Sequence, residues 1–235
     1  MESLSKTQID RLGERLRTQV FGEAELRVLD EYRRTFGPVY DEVVEKVQHV
    51  IGIPVSGRPA KSTTSIIEKL NRESIRLSQM QDISGCRAIV ADVPAQDVAV
   101  NAIAEQFRDV AISDRRAKPS HGYRAVHLVV RESGKTIEVQ IRTFLQHTWA
   151  ELSEKCADII DPAVKYGGGP AAVQDVLSKV STQIQRMEEM ELALIRAREA
   201  HERTEYEMRV TRDEFVRLMH SIIKKVHDTG LGAFS

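Results

Sequence analysis

Two acidic residues lie where strands are expected to begin or run, and together they could bind a metal ion. Asp82 precedes residues 86–91 (CRAIVA), and Glu138 lies within residues 136–143 (TIEVQIRT). Both runs are rich in β-branched residues and bounded by glycine or polar residues, which predicts strands. Two neighbouring carboxylates can hold Mg²⁺ and leave its other positions to water and phosphate. A surface Asp that ends a helix is the competing interpretation of Asp82.

Polar and apolar side chains alternate in the run that carries Glu138. Successive side chains point to opposite faces of a strand, so Glu138, Gln140 and Arg142 are expected to share one face. In the preceding predicted strand the same parity places Tyr123 beside His127. A Ser-Gly pair between the two runs predicts a hairpin, which would bring all five side chains to one surface. A solvated sheet face would show the same alternation, but the helix predicted next favours a cleft.

Ten basic residues surround these predicted strands, although the chain as a whole has 34 Lys and Arg against 35 Asp and Glu. Cations near two carboxylates suit a nucleotide polyphosphate bound with Mg²⁺, because its charge must be screened and oriented. A scattered solvated surface is the alternative. The P-loop motif GxxxxGK(S/T) and the Rossmann motif GxGxxG after a strand are absent. The ten residues are Lys61, Lys69, Arg72, Arg76, Arg87, Arg115, Arg116, Lys118, Arg124 and Arg142.

The composition predicts a globular protein that neither enters a membrane nor wraps a long nucleic acid non-specifically. The 235 residues are 41% hydrophobic and 29% charged, with a formal net charge of −1. No apolar run approaches the roughly 18 residues that span a bilayer, and the N-terminus does not resemble a signal peptide. We therefore expect a cytoplasmic location. Cys86 and Cys156 lie in no metal-binding spacing and are expected to be buried thiols.

The order of predicted elements divides the chain into three parts. Helical spacing predicts an N-terminal helical region over residues 1–52. Residues 53–160 form the predicted core domain. A turn-like stretch (GIPVSGR, residues 52–58) leads into it, and a hydroxyl within Ser62-Thr63-Thr64 is expected to cap its first helix. Strands and further helices then alternate through this domain. Residues 170–230 are expected to form a long, charged helical region.

An apolar stripe runs along the C-terminal helical region, with members every three or four residues. Its members are Val173, Val176, Leu177, Val180, Ile184, Met187, Met190 and Leu194. Such a stripe needs a partner, either the core domain or a second copy of the chain in a homo-oligomer. A helix that grips RNA through its arginines is the other alternative, although interleaved glutamates favour a solvated face.

Five ordered motifs resemble the synthetase domain of the RelA/SpoT (alarmone synthetase) family, in its small single-domain form. They are Lys61-Ser62-x-x-Ser65-Ile66-x-x-Lys69, Asp82-Ile83-x-Gly85-x-Arg87, Gly122-Tyr123-x-x-x-His127, Glu138-Val139-Gln140-Ile141-Arg142-Thr143 and His147-x-x-Ala150-Glu151. The resemblance implies an α+β fold with a nucleotidyltransferase-like mixed β-sheet flanked by helices, together with N-terminal helices and long C-terminal helices.

The resemblance also implies a reaction, in which ATP donates its β,γ-pyrophosphate to the ribose 3′-hydroxyl of GDP or GTP, giving (p)ppGpp and AMP. Asp82 and Glu138 would hold Mg²⁺, and Glu138 would also take the 3′-hydroxyl proton. Arg87 would stack on the ATP adenine and Tyr123 on the acceptor base. The residues implied for the donor phosphates are Lys61, Ser65 and Lys69, and those for the acceptor side are Lys118, His127, Gln140 and Arg142.

The sequence departs from the family pattern close to the acceptor. Residues 118–121 read Lys-Pro-Ser-His where the family commonly has Pro-Lys-x-Asn, and Ala125 replaces a common Ser. One alternative is therefore a toxin-type relative that pyrophosphorylates adenine nucleotides or the 3′ CCA end of tRNA. The run Arg115-Arg116-x-Lys118 would suit an RNA end. A second alternative is a non-catalytic binding protein that uses its C-terminal helices.

Overall fold

The structure, a computed structural model, describes residues 4–229, and three short helices form its N-terminal part. They are α1 (Lys6–Arg17), α2 (Glu23–Arg34) and α3 (Gly37–Ile51). Pro38 lies in the first turn of α3, where its missing N–H leaves no bond unmade. Gly52 ends α3 in the left-handed conformation, at φ 67°. The predicted N-terminal helices are confirmed.

A five-stranded mixed sheet follows, in the order β1-β2-β5-β4-β3. Its strands are β1 (Val55–Arg58), β2 (Ser84–Val90), β3 (Val110–Asp114), β4 (Val126–Glu132) and β5 (Lys135–Thr143). The central pair, β2 and β5, is parallel, and the other three pairs are antiparallel. Ser133 and Gly134 join β4 to β5 with φ of 48° and 73°, as a two-residue hairpin turn requires. The predicted hairpin is confirmed.

The turn predicted over residues 52–58 is wrong in part, because β1 forms there. Its Gly, Pro and Ser are typical of a turn, but β1 pairs with β2 along its whole length, from Val55 opposite Ala88 to Arg58 opposite Gly85. A Cβ at Gly57 would lie 2.6 Å from the Cys86 Cα. The glycine that suggested a turn therefore permits close contact between two strands.

Four further helices and two 3₁₀ segments complete the described chain. The helices are α4 (Thr63–Arg72), α5 (Val93–Gln106), α6 (Phe144–Ile159) and α7 (Ala171–Thr229), and the 3₁₀ segments are Leu77–Gln79 and Pro162–Tyr166. Ser62 caps α4 as predicted, since its side chain accepts from the Ser65 N–H. Thr143 caps α6 in the same way, at the residue where β5 ends. The α+β fold predicted from the sequence is confirmed.

One face of the sheet is apolar and covered, and the other carries the polar residues. Leu128, Val139 and Ile141 are fully buried on the covered face, against which α3 and α5 pack. A smaller cluster joins α6 to the start of α7 through Trp149 and Leu177. Alternation along β4 and β5 thus places the polar side chains together on the second face, where they can form a site.

The described chain divides into two compact units after Arg186, and α7 contributes to both. The three domain boundaries drawn from the sequence stay a prediction. Neither cysteine forms a disulfide, and Cys86 is buried as expected whereas Cys156 is half-buried. Within residues 4–229 no helix combines the length and the apolar character needed to cross a bilayer.

Candidate active site

The strand register gathers the predicted polar side chains on one face of the sheet. In β5, Glu138 lies opposite Gly85 of β2, and Gln140 lies between Arg87 of β2 and His127 of β4. A Cβ at Gly85 would lie 2.9 Å from the Glu138 carbonyl oxygen, so this glycine keeps open the space beside Glu138. The parity read from the sequence therefore holds in three dimensions.

Five of these side chains close a ring of hydrogen bonds. Glu138 Oε1 lies 2.8 Å from His127 Nδ1, and His127 Nε2 lies 2.9 Å from the Tyr123 hydroxyl. Arg142 Nη2 donates to that hydroxyl at 3.0 Å and to Gln140 Oε1 at 2.6 Å. Gln140 Nε2 donates to Glu138 Oε2 at 2.7 Å. Each member is thus oriented by two others.

The charge on Glu138 determines the direction of the bonds in this ring. A carboxylate only accepts, so His127 donates to Glu138 from Nδ1 and Gln140 donates from Nε2. Burial raises the pKa of Glu138, but the hydrogen bond and electrostatic interaction with His127 and the hydrogen bond from Gln140 outweigh burial and bring that pKa below its ordinary value. Burial also raises the pKa of Tyr123, more than Arg142 lowers it. Glu138 is therefore ionised and Tyr123 neutral at pH 7.

Asp82 stands in a different environment, between two lysines. Lys61 Nζ lies 2.5 Å from its Oδ2, and Lys69 Nζ lies 3.0 Å from its Oδ1. Burial raises the pKa of Asp82, yet the charges and hydrogen bonds of the two lysines outweigh it and hold the pKa below its ordinary value. Burial, in turn, is the main reason that the pKa of Lys61 is lowered.

The donor set suits Mg²⁺ bound together with phosphate. Asp82 and Glu138 are both ionised and line the same cleft, and each carboxylate has lone pairs beyond those its two partners use. No group of three or more His, Cys, Asp or Glu that could hold a metal occurs in residues 4–229. Two carboxylates with the remaining positions left to phosphate and water is the usual arrangement for Mg²⁺.

The cleft above the polar face has two chambers, which we name after Arg87 and Tyr123. The Arg87 chamber has a volume of about 400 Å³ and the Tyr123 chamber about 540 Å³. Arg58 and Arg87 line the first, and Lys69, Arg72 and Arg115 line the second. Because cations outnumber carboxylates in each chamber, the cleft as a whole attracts anions.

Arg142 lies in both chambers and has donors to spare. It is 6% exposed, and its Nε and Nη1 have no hydrogen-bond partner among the described residues. An unsatisfied buried donor on a charged group is unfavourable. Arg142 lines both chambers, and a guanidinium beside a cleft is suited to a phosphate.

A tight turn presents Tyr123 to the cleft. Ser120 and Tyr123 pair across it, while His121 and Gly122 have φ of 51° and 88°. His is one of the few non-glycine types enriched in this conformation, so it can stand where the family commonly has Asn. The Ser181 hydroxyl donates to the Gly122 carbonyl at 2.7 Å, which ties the turn to α7.

Not every predicted site residue reaches the cleft. Lys61 does not line the cleft itself but contacts Asp82, which does. Eight predicted residues line the cleft: Lys69, Asp82, Arg87, Tyr123, His127, Glu138, Gln140 and Arg142. Ser65 accepts from the Ser62 hydroxyl in the first turn of α4, and Lys118 is exposed. Neither of these two is among the lining residues. Their binding roles stay predictions, and the structure offers no contact in support.

The structure adds cleft residues that the motifs did not indicate, chiefly Lys165 and Tyr166 on the Pro162–Tyr166 segment. Both follow the last motif and precede a Gly-rich break, and nothing in their spacing marks them as functional. Arg115, one of the basic residues noted in the sequence, also lines the Tyr123 chamber. Its neighbour Arg116 is instead fixed by Asp114 and Asp97, at 2.7 and 2.6 Å.

Together, the mixed sheet, the paired carboxylates and the cationic cleft define a nucleotidyltransferase-like fold with a cleft suited to anions. Residues 57–157 match the family model described as "Region found in RelA / SpoT proteins". This segment of the chain belongs to the RelA/SpoT family, as the motifs predicted.

Similar proteins agree with this assignment. The small alarmone synthetase 1 of Bacillus subtilis, solved with its product pppGpp, is 27% identical, with a TM-score of 0.55 over 72% of this chain and 98% of that one. An uncharacterised protein of Mycobacterium tuberculosis is 39% identical over 116 residues, 47% of this chain and 42% of that protein. A GTP pyrophosphokinase of Haemophilus influenzae is 34% identical over 109 residues, 45% of this chain and 14% of the enzyme. The chain thus spans less than half the length of these two curated relatives.

Proposed function

We propose that the protein transfers the β,γ-pyrophosphate of ATP to the ribose 3′-hydroxyl of GDP or GTP, making (p)ppGpp and AMP. The observation that carries the proposal is the polar ring, which holds an ionised Glu138 beside Arg142 in the lining of one anion-attracting cleft. The names of the similar kinases and synthetases indicate the same reaction class. Magnesium and the particular acceptor belong to the proposal.

The reaction needs one bond to form and one to break at the β-phosphorus of ATP. The acceptor 3′-oxygen bonds to that phosphorus, the bridging oxygen between the α- and β-phosphorus leaves with AMP, and Glu138 accepts the hydroxyl proton. His127 and Gln140 fix the Glu138 carboxylate for this step. Positioning and charge neutralisation carry most of the catalysis in such transfers.

The remaining side chains bind the two nucleotides on either side of that step. We assign the ATP adenine to Arg87 and the acceptor base to Tyr123, each in its own chamber. Lys61 and Lys69 neutralise Asp82 and offer positive charge to the donor phosphates. Mg²⁺ held by Asp82 and Glu138 would offset the charge of the polyphosphate when it is bound.

We favour a guanine nucleotide over an RNA end as the acceptor. The basic run that would suit RNA is partly used within the protein, because Arg116 pairs with Asp97 and Asp114. Lys118 lies outside the cleft lining. Only Arg115 of this run lines the Tyr123 chamber, with its guanidinium carbon 5.9 Å from the Tyr123 ring centroid.

Thin-layer chromatography tests the proposal with γ-labelled ATP, Mg²⁺ and GDP, GTP, AMP or deacylated tRNA in separate reactions. We expect label to move onto GDP or GTP. Label on tRNA or AMP alone would instead indicate a toxin-type enzyme of the same fold. No transfer to any acceptor would indicate a non-catalytic binding protein. The Glu138→Gln variant controls for a contaminating kinase, because it should transfer nothing.

We also propose that residues 187–229 join a second copy of the chain. Exposed apolar side chains repeat there with heptad spacing: Met187, Met190, Leu194, Met208, Phe215, Leu218 and Ile222. Glu207 and Arg212 lie five residues apart at flanking positions, where a parallel partner would pair their opposite charges. Sedimentation should show a dimer that Phe215→Asp dissociates and His220→Asp, on the opposite side of the helix, leaves intact. A concentration-independent monomer would contradict self-association.

A further inference from the structure

Lys165 lies where the two chambers of the cleft meet. Five of the described residues line both chambers: Asp82, Glu138, Gln140, Arg142 and Lys165. The first four belong to the family motifs, whereas Lys165 lies beyond the matched residues 57–157. A group that moves from a nucleotide in one chamber to a nucleotide in the other must pass this junction.

The segment that carries Lys165 is fixed at its base. Asp161 caps it by accepting from the Ala163 N–H at 2.8 Å. Val164, next to Lys165, is 1% exposed in the cluster that contains Trp149. Gln174 Nε2 donates to the Val164 carbonyl at 2.9 Å. The Lys165 backbone therefore has a defined position, although its side chain is exposed.

The end of the segment reaches the opposite side of the cleft. The Arg72 guanidinium of α4 lies over the Tyr166 ring, with its central carbon 3.6 Å from the ring centroid. Gly167, at φ 81°, passes so close to His121 that a Cβ there would lie 2.2 Å from Nδ1. The segment thus bridges α6 and α4, with Lys165 between its two attachments.

The Lys165 ammonium is little engaged with the protein itself. Its ion pair with Asp158 is long, at 3.8 Å, and the side chain is 38% exposed. Arg142 is the other cation at the junction, and two of its donor atoms lack partners among the described residues. Lys165 and Arg142 therefore both line the junction next to Asp82 and Glu138, and of these two cations Lys165 is the exposed one.

We propose that Lys165 binds the pyrophosphoryl group while it passes from donor to acceptor, and that the Arg72–Tyr166 contact positions Lys165. This inference rests on the proposed function and deepens it, since it adds a catalytic cation from outside the family motifs. Negative charge on the transferred group is where an oriented cation contributes most.

Kinetics with saturating ATP and GDP test the assignment. Lys165→Ala should lower kcat on the order of 10²-fold, with each nucleotide KM changed less than about threefold, as expected when an interaction specific to the transition state is lost. Lys165→Arg keeps the charge, so its kcat should be at least about tenfold higher than that of Lys165→Ala. Lys155→Ala, an exposed lysine on α6 that lies outside the cleft lining, is the matched control. An unchanged kcat for Lys165→Ala overturns the proposal.

Titration calorimetry with inorganic pyrophosphate and Mg²⁺ separates this inference from the proposed function. Wild type and Lys155→Ala should bind pyrophosphate alike, and Lys165→Ala roughly tenfold more weakly. If the wild type transfers label to no acceptor, the proposed function fails, and this titration alone then tests whether Lys165 binds pyrophosphate. Equal affinity of wild type and Lys165→Ala, including no affinity in either, would then overturn the assignment.

A pair of substitutions at Tyr166 tests the positioning role. Tyr166→Phe keeps the ring beneath Arg72 and should retain kcat. Tyr166→Ala removes the ring and should lower kcat about tenfold. Equal kcat values for these two variants would contradict the positioning role of the stacked pair.

Discussion

The two carboxylates of the cleft, Asp82 and Glu138, are held in place by different kinds of partner. Asp82 lies between the ammonium groups of Lys61 and Lys69, whose positive charges offset its negative charge. Glu138 is held by the His127 imidazole and the Gln140 amide, within a ring of hydrogen bonds that Tyr123 and Arg142 complete. Burial raises the pKa of both, and partners lower both below their ordinary values. An ionised carboxylate is thus obtained at one site by two ammonium groups and at the other by an imidazole and an amide.

This difference suggests a division of labour. An ion-paired aspartate can exchange its lysines for Mg²⁺ and let them turn towards phosphate, as a donor site requires. A glutamate held by an imidazole and an amide within a hydrogen-bonded ring keeps a fixed direction, which suits a group that must accept a proton. The predictions below test that contrast.

The largest effect is expected at Glu138. Glu138→Gln removes the base but keeps the side-chain shape, so transfer should fall about 10³-fold. Because its direct partners are an imidazole and an amide and not two ammonium groups, the free energy of unfolding should fall by only about 1 kcal/mol. Transfer assays and urea unfolding of the same preparation measure both. Activity within tenfold of wild type would exclude Glu138 as the base.

Asp82→Asn should lower the free energy of unfolding more than Glu138→Gln does. It leaves two partly buried lysines without their anion, and breaking such a buried pair costs about 3 kcal/mol. Urea unfolding compared with Glu138→Gln measures the difference. The contrast between the sites would be refuted if the two variants lost the same stability.

Tyr123→Phe opens the ring without touching either carboxylate. It removes the hydroxyl that pairs with His127 Nε2 and accepts from Arg142 Nη2, which should cost about 1 to 2 kcal/mol. Transfer should fall about tenfold, since Glu138 keeps both direct partners. Urea unfolding and kcat test this, and a loss as large as that of Glu138→Gln would give the hydroxyl a direct chemical role.

Cys86, in β2 beneath the site, shows burial without compensation. Burial raises the pKa of its thiol from 9.0 to about 12. A raised folded pKa gives stability that is complete below pH 9.0 and is lost as the pH rises towards 12. The stability difference between wild type and Cys86→Ala should therefore shift by about 1 kcal/mol against wild type between pH 8 and 10. A difference independent of pH would show that this thiol does not titrate as a buried group.

The sequence indicates the polar face and a cleft above it, but not all the residues that line the cleft. Alternation along β4 and β5 was enough to place Glu138, Gln140, Arg142 and His127 on one face, because strand parity is a local rule. β1 was missed because its Gly, Pro and Ser indicate a turn, and only pairing with β2 makes them a strand. Lys165 was missed for a related reason, since it reaches the junction through the packing of Val164 and Tyr166.

The most direct test of the account is ³¹P NMR of the reaction of wild-type protein with ATP, GDP and Mg²⁺. Transfer of an intact pyrophosphate predicts AMP and a guanosine 3′-diphosphate in equal amounts, both appearing at the rate at which ATP is lost. Release of ADP or inorganic phosphate without a 3′-diphosphate would contradict it.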